Sequence, residues 1–155
     1  MMPSYRYSIL GIDPDRTALA SGRNIRVSPK QCREVCKTIK GLMVDKAIEL
    51  LESVIEEKTW IPYRRHNKKR GHHSGMKTWA AGGHPVRASQ EILKVLKNAE
   101  SNADNKGLDI DRLRIMHAAT HRGRTYKQYM ERAFGRNSPY NEYTSHVEII
   151  VEEIM

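Results

Sequence analysis

The chain has 155 residues and a formal net charge of +9 at pH 7, with 39% hydrophobic and 29% charged residues. This length supports one domain with a hydrophobic core, and a charge this positive favours a polyanionic partner, most often nucleic acid. No apolar run approaches the roughly eighteen residues of a membrane span and no secretion signal is visible, so we expect a cytoplasmic protein without a membrane partner.

The first part of the chain predicts strand and then helix. "YRYSI" at residues 5–9 can add a short edge strand, and "RNIRV" at residues 23–27 alternates apolar and polar residues as a strand does. A helix follows, because Ser28 is a suitable N-cap, Pro29 fits the first helical position and Gln31 completes a capping box.

Two cysteines, Cys32 and Cys36, lie four residues apart in this helix. Their side chains point the same way along one helix face, which is poor geometry for a disulfide. Val35 and Ile39 continue the same stripe. We therefore expect both cysteines to be small, buried, apolar residues.

Two more helices and two more strands complete the fold. Residues 43–58 and 85–106 each carry an apolar stripe at helical spacing. "RLRIMHA" at residues 112–118 and "HVEIIVEE" at residues 146–153 alternate as strands. The sequence thus predicts an α+β fold in a single domain, with three helices packed on a small, mostly antiparallel three-stranded sheet.

The positive charge is concentrated in two segments. Residues 58–90 contain eight Lys or Arg and no acid, and residues 112–140 contain seven Lys or Arg and one acid, Glu131. The segments carry +8 and +6, together +14 against +9 for the whole chain, so the remainder sums to −5. An acidic body that carries two strongly basic segments is typical of a protein that binds nucleic acid.

The first basic segment is an insertion at about residues 59–84, between the second and third helices. It has no periodicity and alone in water could not bury enough apolar surface to order itself. We expect its cations to bind RNA phosphates, and its rings to stack on bases or to pin the segment to the body. The cations are Arg64, Arg65, Lys68, Lys69 and Arg70, and the rings are Trp60, Tyr63 and Trp79.

The second basic segment, at about residues 118–146, joins two strands that would usually need only about two to five connecting residues. If its arms continue the strands, it forms an extended β-hairpin that projects roughly 40 Å. Because it has no apolar face of its own, we expect surrounding RNA to hold its shape. Its candidate phosphate-binding residues are Arg122, Arg124, Lys127, Arg132 and Arg136, and its candidate stacking rings are Tyr126, Tyr129 and Tyr140.

Histidines raise two further hypotheses. Those of the insertion suggest a zinc site, but their spacing matches no common ligand pattern and the nearby cations would repel the ion. We therefore expect no metal or other cofactor.

The remaining histidines flank the base of the hairpin beside Glu148, so a free-standing RNA-binding regulator or a ribonuclease is the alternative function. No Gly-rich phosphate loop or carboxylate pair is visible, and we expect no catalytic residue. The first set is His66, His72, His73 and His84, and the second is His117, His121 and His146.

Three blocks of the sequence resemble a known family. "RVSPKQCREVCKTIKG", "ILKVLKNAESNADNKGLD" and "ERAFGRNSPYNEYTSHVEIIVEE" are similar, in that order, to the universal ribosomal protein twenty-two of the large subunit. The resemblance covers nearly all of the chain beyond residue 20. The basic insertion is absent from bacterial-type members and resembles that of archaeal and eukaryotic-type members.

This resemblance implies a structural constituent of the large ribosomal subunit that binds and organises ribosomal RNA beside other ribosomal proteins. It also implies that the tip of the hairpin lines the tunnel through which the nascent polypeptide leaves. The tip residues would be Arg132, Ala133, Phe134, Gly135 and Arg136. Glu131 and Phe134 stand where bacterial-type members usually have proline and a basic residue.

Overall fold

The computed structural model describes residues 7–76 and 78–154. It has the predicted α+β architecture, with three α-helices on one antiparallel sheet. In chain order the elements are β1 Thr17–Ile25, α1 Pro29–Ile39, α2 Val44–Ile55, β2 Ile61–Pro62, β3 Gly82–Gly83, α3 Val86–Asp104, a 3-10 turn Ile110–Arg112, β4 Leu113–Tyr126, β5 Tyr129–Glu131, β6 Asn137–Pro139 and β7 Glu142–Glu153.

The main sheet has the strand order β1–β7–β4, so the last strand of the chain lies in its centre. Along β7, Val147, Ile149 and Val151 are buried in the core that the helices cover. Alternate residues of a strand face one side of its sheet, as these three do. Glu148 and Ile150, which face the other side, are buried as well. The strand pattern read from residues 146–153 is therefore confirmed, and β4 and β7 both extend beyond the predicted bounds.

Helix α1 begins as predicted, with Ser28 as N-cap and Pro29 in its first turn, but the Ser28 side chain makes no capping hydrogen bond. Both cysteines are free and buried, as expected. Burial raises the pKa of Cys32 to about 11 and that of Cys36 to about 12, so both thiols stay protonated at neutral pH. Their role is packing.

Helices α2 and α3 are each slightly shorter than predicted. Helix α2 ends at Ile55, and the chain leaves it through Glu57, whose φ of +59° is left-handed. Helix α3 ends at Asp104, three residues before Gly107 at φ +74°. Their apolar stripes form the core with α1 and the sheet. Across the described ranges, none of the helices has the length and apolarity needed to cross a membrane.

Strand β1 differs most from its prediction, because it spans Thr17–Ile25 rather than residues 23–27. Ala18 pairs with Val151 and Ala20 with Ile149, and both alanines are buried. Small residues have low β propensity, so pairing with the central strand decides the structure here. For the edge strand predicted at residues 5–9, residues 5 and 6 lie outside the described part of the chain, and residues 7–9 are not a strand.

Candidate nucleic-acid interface

The long connection between the last two strands consists of paired antiparallel arms. Strands β4 and β7 pair from Leu113 opposite Glu153 to Tyr126 opposite Glu142. After a short break, β5 pairs with β6. The Tyr140 N–H bridges this break by donating to the Gln128 carbonyl at 2.6 Å. The cations of the hairpin are thus carried on a ladder that continues the central sheet.

The tip of the hairpin is a tight turn with an exposed aromatic ring. Phe134 and Gly135 have φ values of +60° and +66°, which are the left-handed positions of a type I′ turn. The Arg136 N–H donates to the Ala133 carbonyl at 3.4 Å, and the Arg132 N–H donates to the Arg136 carbonyl at 2.8 Å. A bulky residue rarely adopts a positive φ. The turn nevertheless places a phenylalanine ring there with 96% of its surface exposed.

Two hairpin arginines stack on tyrosine rings of the same hairpin. The Arg122 guanidinium lies 4.8 Å from the centroid of Tyr143, and that of Arg124 lies 5.5 Å from the centroid of Tyr126. Stacking of this kind holds a guanidinium in place while leaving its charge unneutralised. Tyr143 was not among the predicted stacking residues, since nothing in the sequence pairs it with Arg122.

The hairpin cations keep their charge available for an outside partner. Within the described ranges, none of them forms an ion pair with a carboxylate. Two of the three predicted stacking rings on the hairpin, Tyr129 and Tyr140, are 65% and 64% exposed. The third, Tyr126, is partly covered and also lies beneath Arg26 at 5.6 Å. The cations concerned are Arg122, Arg124, Lys127, Arg132 and Arg136.

A buried carboxylate anchors the basic insertion to the body. Glu34 on α1 is 1% exposed, and its two oxygens accept the backbone N–H groups of Arg64 at 2.9 Å, Arg65 at 3.2 Å and His66 at 3.1 Å. A carboxylate that is bonded by three backbone donors fixes the path of that backbone. Sequence reasoning missed Glu34, whose burial depends on the insertion folding over α1.

The insertion also contributes rings to a small packed cluster. Ile61 and Tyr63 are buried, and strand β2 pairs with β3. The Arg70 guanidinium lies 4.5 Å from the Tyr63 centroid. At 1% exposure, Tyr63 offers no free ring face to a base. Of its two hypothesised roles, this ring therefore has the one that pins the segment to the body.

The two tryptophans of the insertion differ in their surroundings. Trp60 stacks on His73 with ring centroids 4.9 Å apart and an interplanar angle of 20°. The ring of His84 lies next to Trp60, and its Nδ1 is 2.9 Å from the carbonyl oxygen of Thr59. Trp79, in contrast, is 44% exposed. Trp79 is thus the tryptophan whose ring is better placed to meet a base, and Trp60 packs within the segment.

Two of the three histidines at the base of the hairpin contact the same acid. His117 and His121 each place Nε2 3.2 Å from Oε1 of Glu148, which is 3% exposed, and the Ser8 hydroxyl donates to the same carboxylate. Burial raises the pKa of Glu148, but the hydrogen bonds from Ser8, His121 and His117 outweigh it and hold the pKa below its usual value. The cluster ties the chain at Ser8 to the sheet.

His146 accepts a hydrogen bond in its neutral form, because the Asn24 backbone N–H donates to its Nδ1 at 3.1 Å. Desolvation, with added repulsion from Arg23 and His121, lowers the pKa of His146. The unfolded chain therefore binds this proton more readily than the folded chain does. Stability that is present above the usual histidine pKa of about 6.5 is lost as the pH falls below it.

We therefore predict that His146→Gln flattens the pH dependence of stability between pH 7.5 and pH 5. The measurement is the thermal unfolding temperature across this range. His72→Gln, which removes an exposed imidazole of the insertion, is the matched control and should follow the wild type. Identical pH slopes for the wild type and His146→Gln would show that this side chain does not contribute.

Comparison with known proteins finds one matching family model and relatives that cover most of the chain. Residues 20–152 match the family model described as Ribosomal protein L22p/L17e. The Large ribosomal subunit protein uL22 of Methanocaldococcus jannaschii is 47% identical over 153 residues, which cover 99% of this chain and 97% of that protein. The protein of the same name from Aeropyrum pernix is 43% identical over 156 residues, 99% of this chain and 100% of that protein. That from Methanopyrus kandleri is 47% identical over 143 residues, covering 92% and 90% of the two chains.

Proposed function

The chain belongs to the ribosomal protein L22p/L17e family, and from this we propose that it is a structural, non-catalytic constituent of the large ribosomal subunit in the cytoplasm. Its partners are large-subunit ribosomal RNA and neighbouring ribosomal proteins. This assignment replaces the alternative of a free-standing regulator or ribonuclease. The similarity to archaeal relatives agrees with the resemblance of the basic insertion to archaeal and eukaryotic-type members.

One observation carries the RNA-binding role. The hairpin extends from the sheet as paired arms whose cations form no ion pair with a carboxylate anywhere in residues 7–76 and 78–154. An exposed positive surface that the protein does not neutralise itself favours a polyanion. The exposed tyrosines between these cations suit stacking on unpaired bases.

The mechanism is organisation of RNA segments around a rigid body. The insertion and the hairpin leave the body at different points of the chain, one from between α2 and α3 and the other from the sheet. Each neutralises phosphates in its own surroundings, so one protein fixes the relative positions of separate RNA segments. The core of helices and sheet supplies the fixed geometry between them.

The tip of the hairpin, residues 132–136, lines the polypeptide exit tunnel in this proposal and meets the nascent chain there. Support comes from its form, since it is the end of a long arm and is held as a tight turn. The exposed Phe134 ring would give the tunnel wall an aromatic surface between two arginines. Crosslinks from Phe134 to RNA and to a nascent peptide test this placement.

We predict a steep salt dependence of RNA binding. If the ten proposed cations each contact one phosphate, log K plotted against log salt has a slope of roughly −7 to −9. Binding of the full chain to large-subunit ribosomal RNA, followed by fluorescence anisotropy at several KCl concentrations, measures this slope. A slope shallower than about −3 would mean that most of these cations do not contact phosphate.

Sedimentation of a cell lysate tests the assignment itself. A constituent of the ribosome comigrates with large subunits and remains with them through washing at moderate salt. A soluble pool of the protein that cleaves RNA would instead support the ribonuclease alternative.

A further inference from the structure

A cavity of about 400 Å³ lies between the start of helix α1 and the basic insertion. This volume is within the range of about 300–1,000 Å³ that is usual for ligand sites. None of the described residues that line it is acidic. They are Ser28, Lys30, Arg65, His66, Lys68, Lys69 and Arg70.

The walls of this cavity are fixed by the protein itself. Glu34 binds the backbone N–H groups of Arg65 and His66 from the side of α1. Arg70 is stacked on the buried ring of Tyr63 at the other end of the run. Between them, Lys69 adopts a left-handed φ of +59°, which turns the chain. The cations are thus gathered before any ligand arrives, which lowers the entropic cost of binding.

The charge of the cavity exceeds what one phosphate neutralises. Five of its lining residues are Lys or Arg, and none of the five forms an ion pair within the described residues. A phosphodiester carries a single negative charge. A place where several phosphates come close together is therefore the better electrostatic match.

We propose that this cavity binds a sharp bend of the RNA backbone, at which two or more phosphates converge. The inference rests on the proposed RNA-binding function and adds a site to it. It also gives the insertion a role different from that of the hairpin. The hairpin lies along RNA, whereas the insertion holds a preformed site for a particular backbone shape.

Inorganic pyrophosphate, which carries two linked phosphates, is the probe for this site. Titrated into the full-length ¹⁵N-labelled protein, it should shift the amide resonances of residues 65–70 and bind about tenfold more tightly than orthophosphate. Lys30→Gln with Lys68→Gln should weaken pyrophosphate binding by about tenfold, because both side chains line the cavity and are exposed. Added large-subunit ribosomal RNA should displace the probe.

Lys94→Gln with Lys97→Gln is the matched control, since it removes the same charge from the exposed surface of α3. It should change pyrophosphate binding by less than about twofold. Equal weakening by both pairs, or no shift at residues 65–70, would overturn the proposal. Binding of pyrophosphate that RNA does not displace would make this a site for a free diphosphate and also overturns it. If the wild type does not bind ribosomal RNA at all, the proposed function fails as well.

Discussion

Replacing Arg132 and Arg136 together by glutamate should weaken binding to large-subunit ribosomal RNA by about a hundredfold. Both side chains are exposed near the hairpin tip, and neither forms an ion pair with a carboxylate in the described chain. The substitution removes two phosphate contacts and adds two repulsive charges. The salt slope should become shallower by about 1.4 to 1.8, because each phosphate contact contributes about 0.7 to 0.9.

The unfolding temperature of this variant should stay within a few degrees of the wild type. Among the residues that the structure describes, the only side-chain hydrogen bond of these two arginines is that from Arg132 Nε to Ser138 Oγ at 3.3 Å. Lys94→Glu with Lys97→Glu, on the surface of α3, reverses the same charge and controls for the change in net charge. A collapse of the unfolding temperature would place these arginines in the folded body. RNA binding equal to that of the control would remove the hairpin tip from the interface.

The sequence predicted the parts of this fold that have a repeating apolar pattern. In α1, the stripe of Cys32, Val35, Cys36 and Ile39 is buried as expected, because helical spacing alone brings those side chains to one face. The same reasoning found α2, α3 and the core of β7. It fails for the first residues of β1, where Ala18 and Ala20 carry little strand preference of their own.

The insertion was harder to predict, because its order comes from residues far away in the chain. Glu34 precedes Arg64 by thirty positions, and no local pattern connects a helical glutamate to three later backbone N–H groups. In the sequence, Tyr63 stands beside basic residues, and this position alone does not show whether its ring is exposed to a base or buried. Only the folded chain shows that it is buried beneath Arg70.

The two basic segments therefore depend on different partners for their structure. The insertion is held by the protein, through a buried carboxylate, a buried tyrosine and a pair of short strands. The outer part of the hairpin has main-chain pairing but mostly exposed side chains. A ribbon of this kind is marginal in water, so RNA remains the expected source of its rigidity. Residue by residue, the amide exchange of the free protein would show this difference.

Glu34→Gln should release the insertion from the body. Glutamine has nearly the same shape but presents an NH₂ group to at least one of the three backbone donors, so that donor loses its acceptor. We expect a loss of about 2–4 kcal/mol in the free energy of unfolding, which is a fall of about 5–15 °C in the unfolding temperature. Hydrogen exchange should show lost protection at the N–H groups of Arg64, Arg65 and His66.

The same substitution separates preorganisation from charge in RNA binding. Glu34→Gln makes the protein more positive by one charge, which by itself favours RNA. We nevertheless expect about tenfold weaker binding, because a released insertion must be ordered again when RNA arrives. Glu49→Gln, which makes the same charge change at an exposed position of α2, gives the effect of charge alone and should not weaken binding. If Glu34→Gln and Glu49→Gln bind RNA equally and the three N–H groups stay protected, the buried carboxylate does not hold the insertion in place.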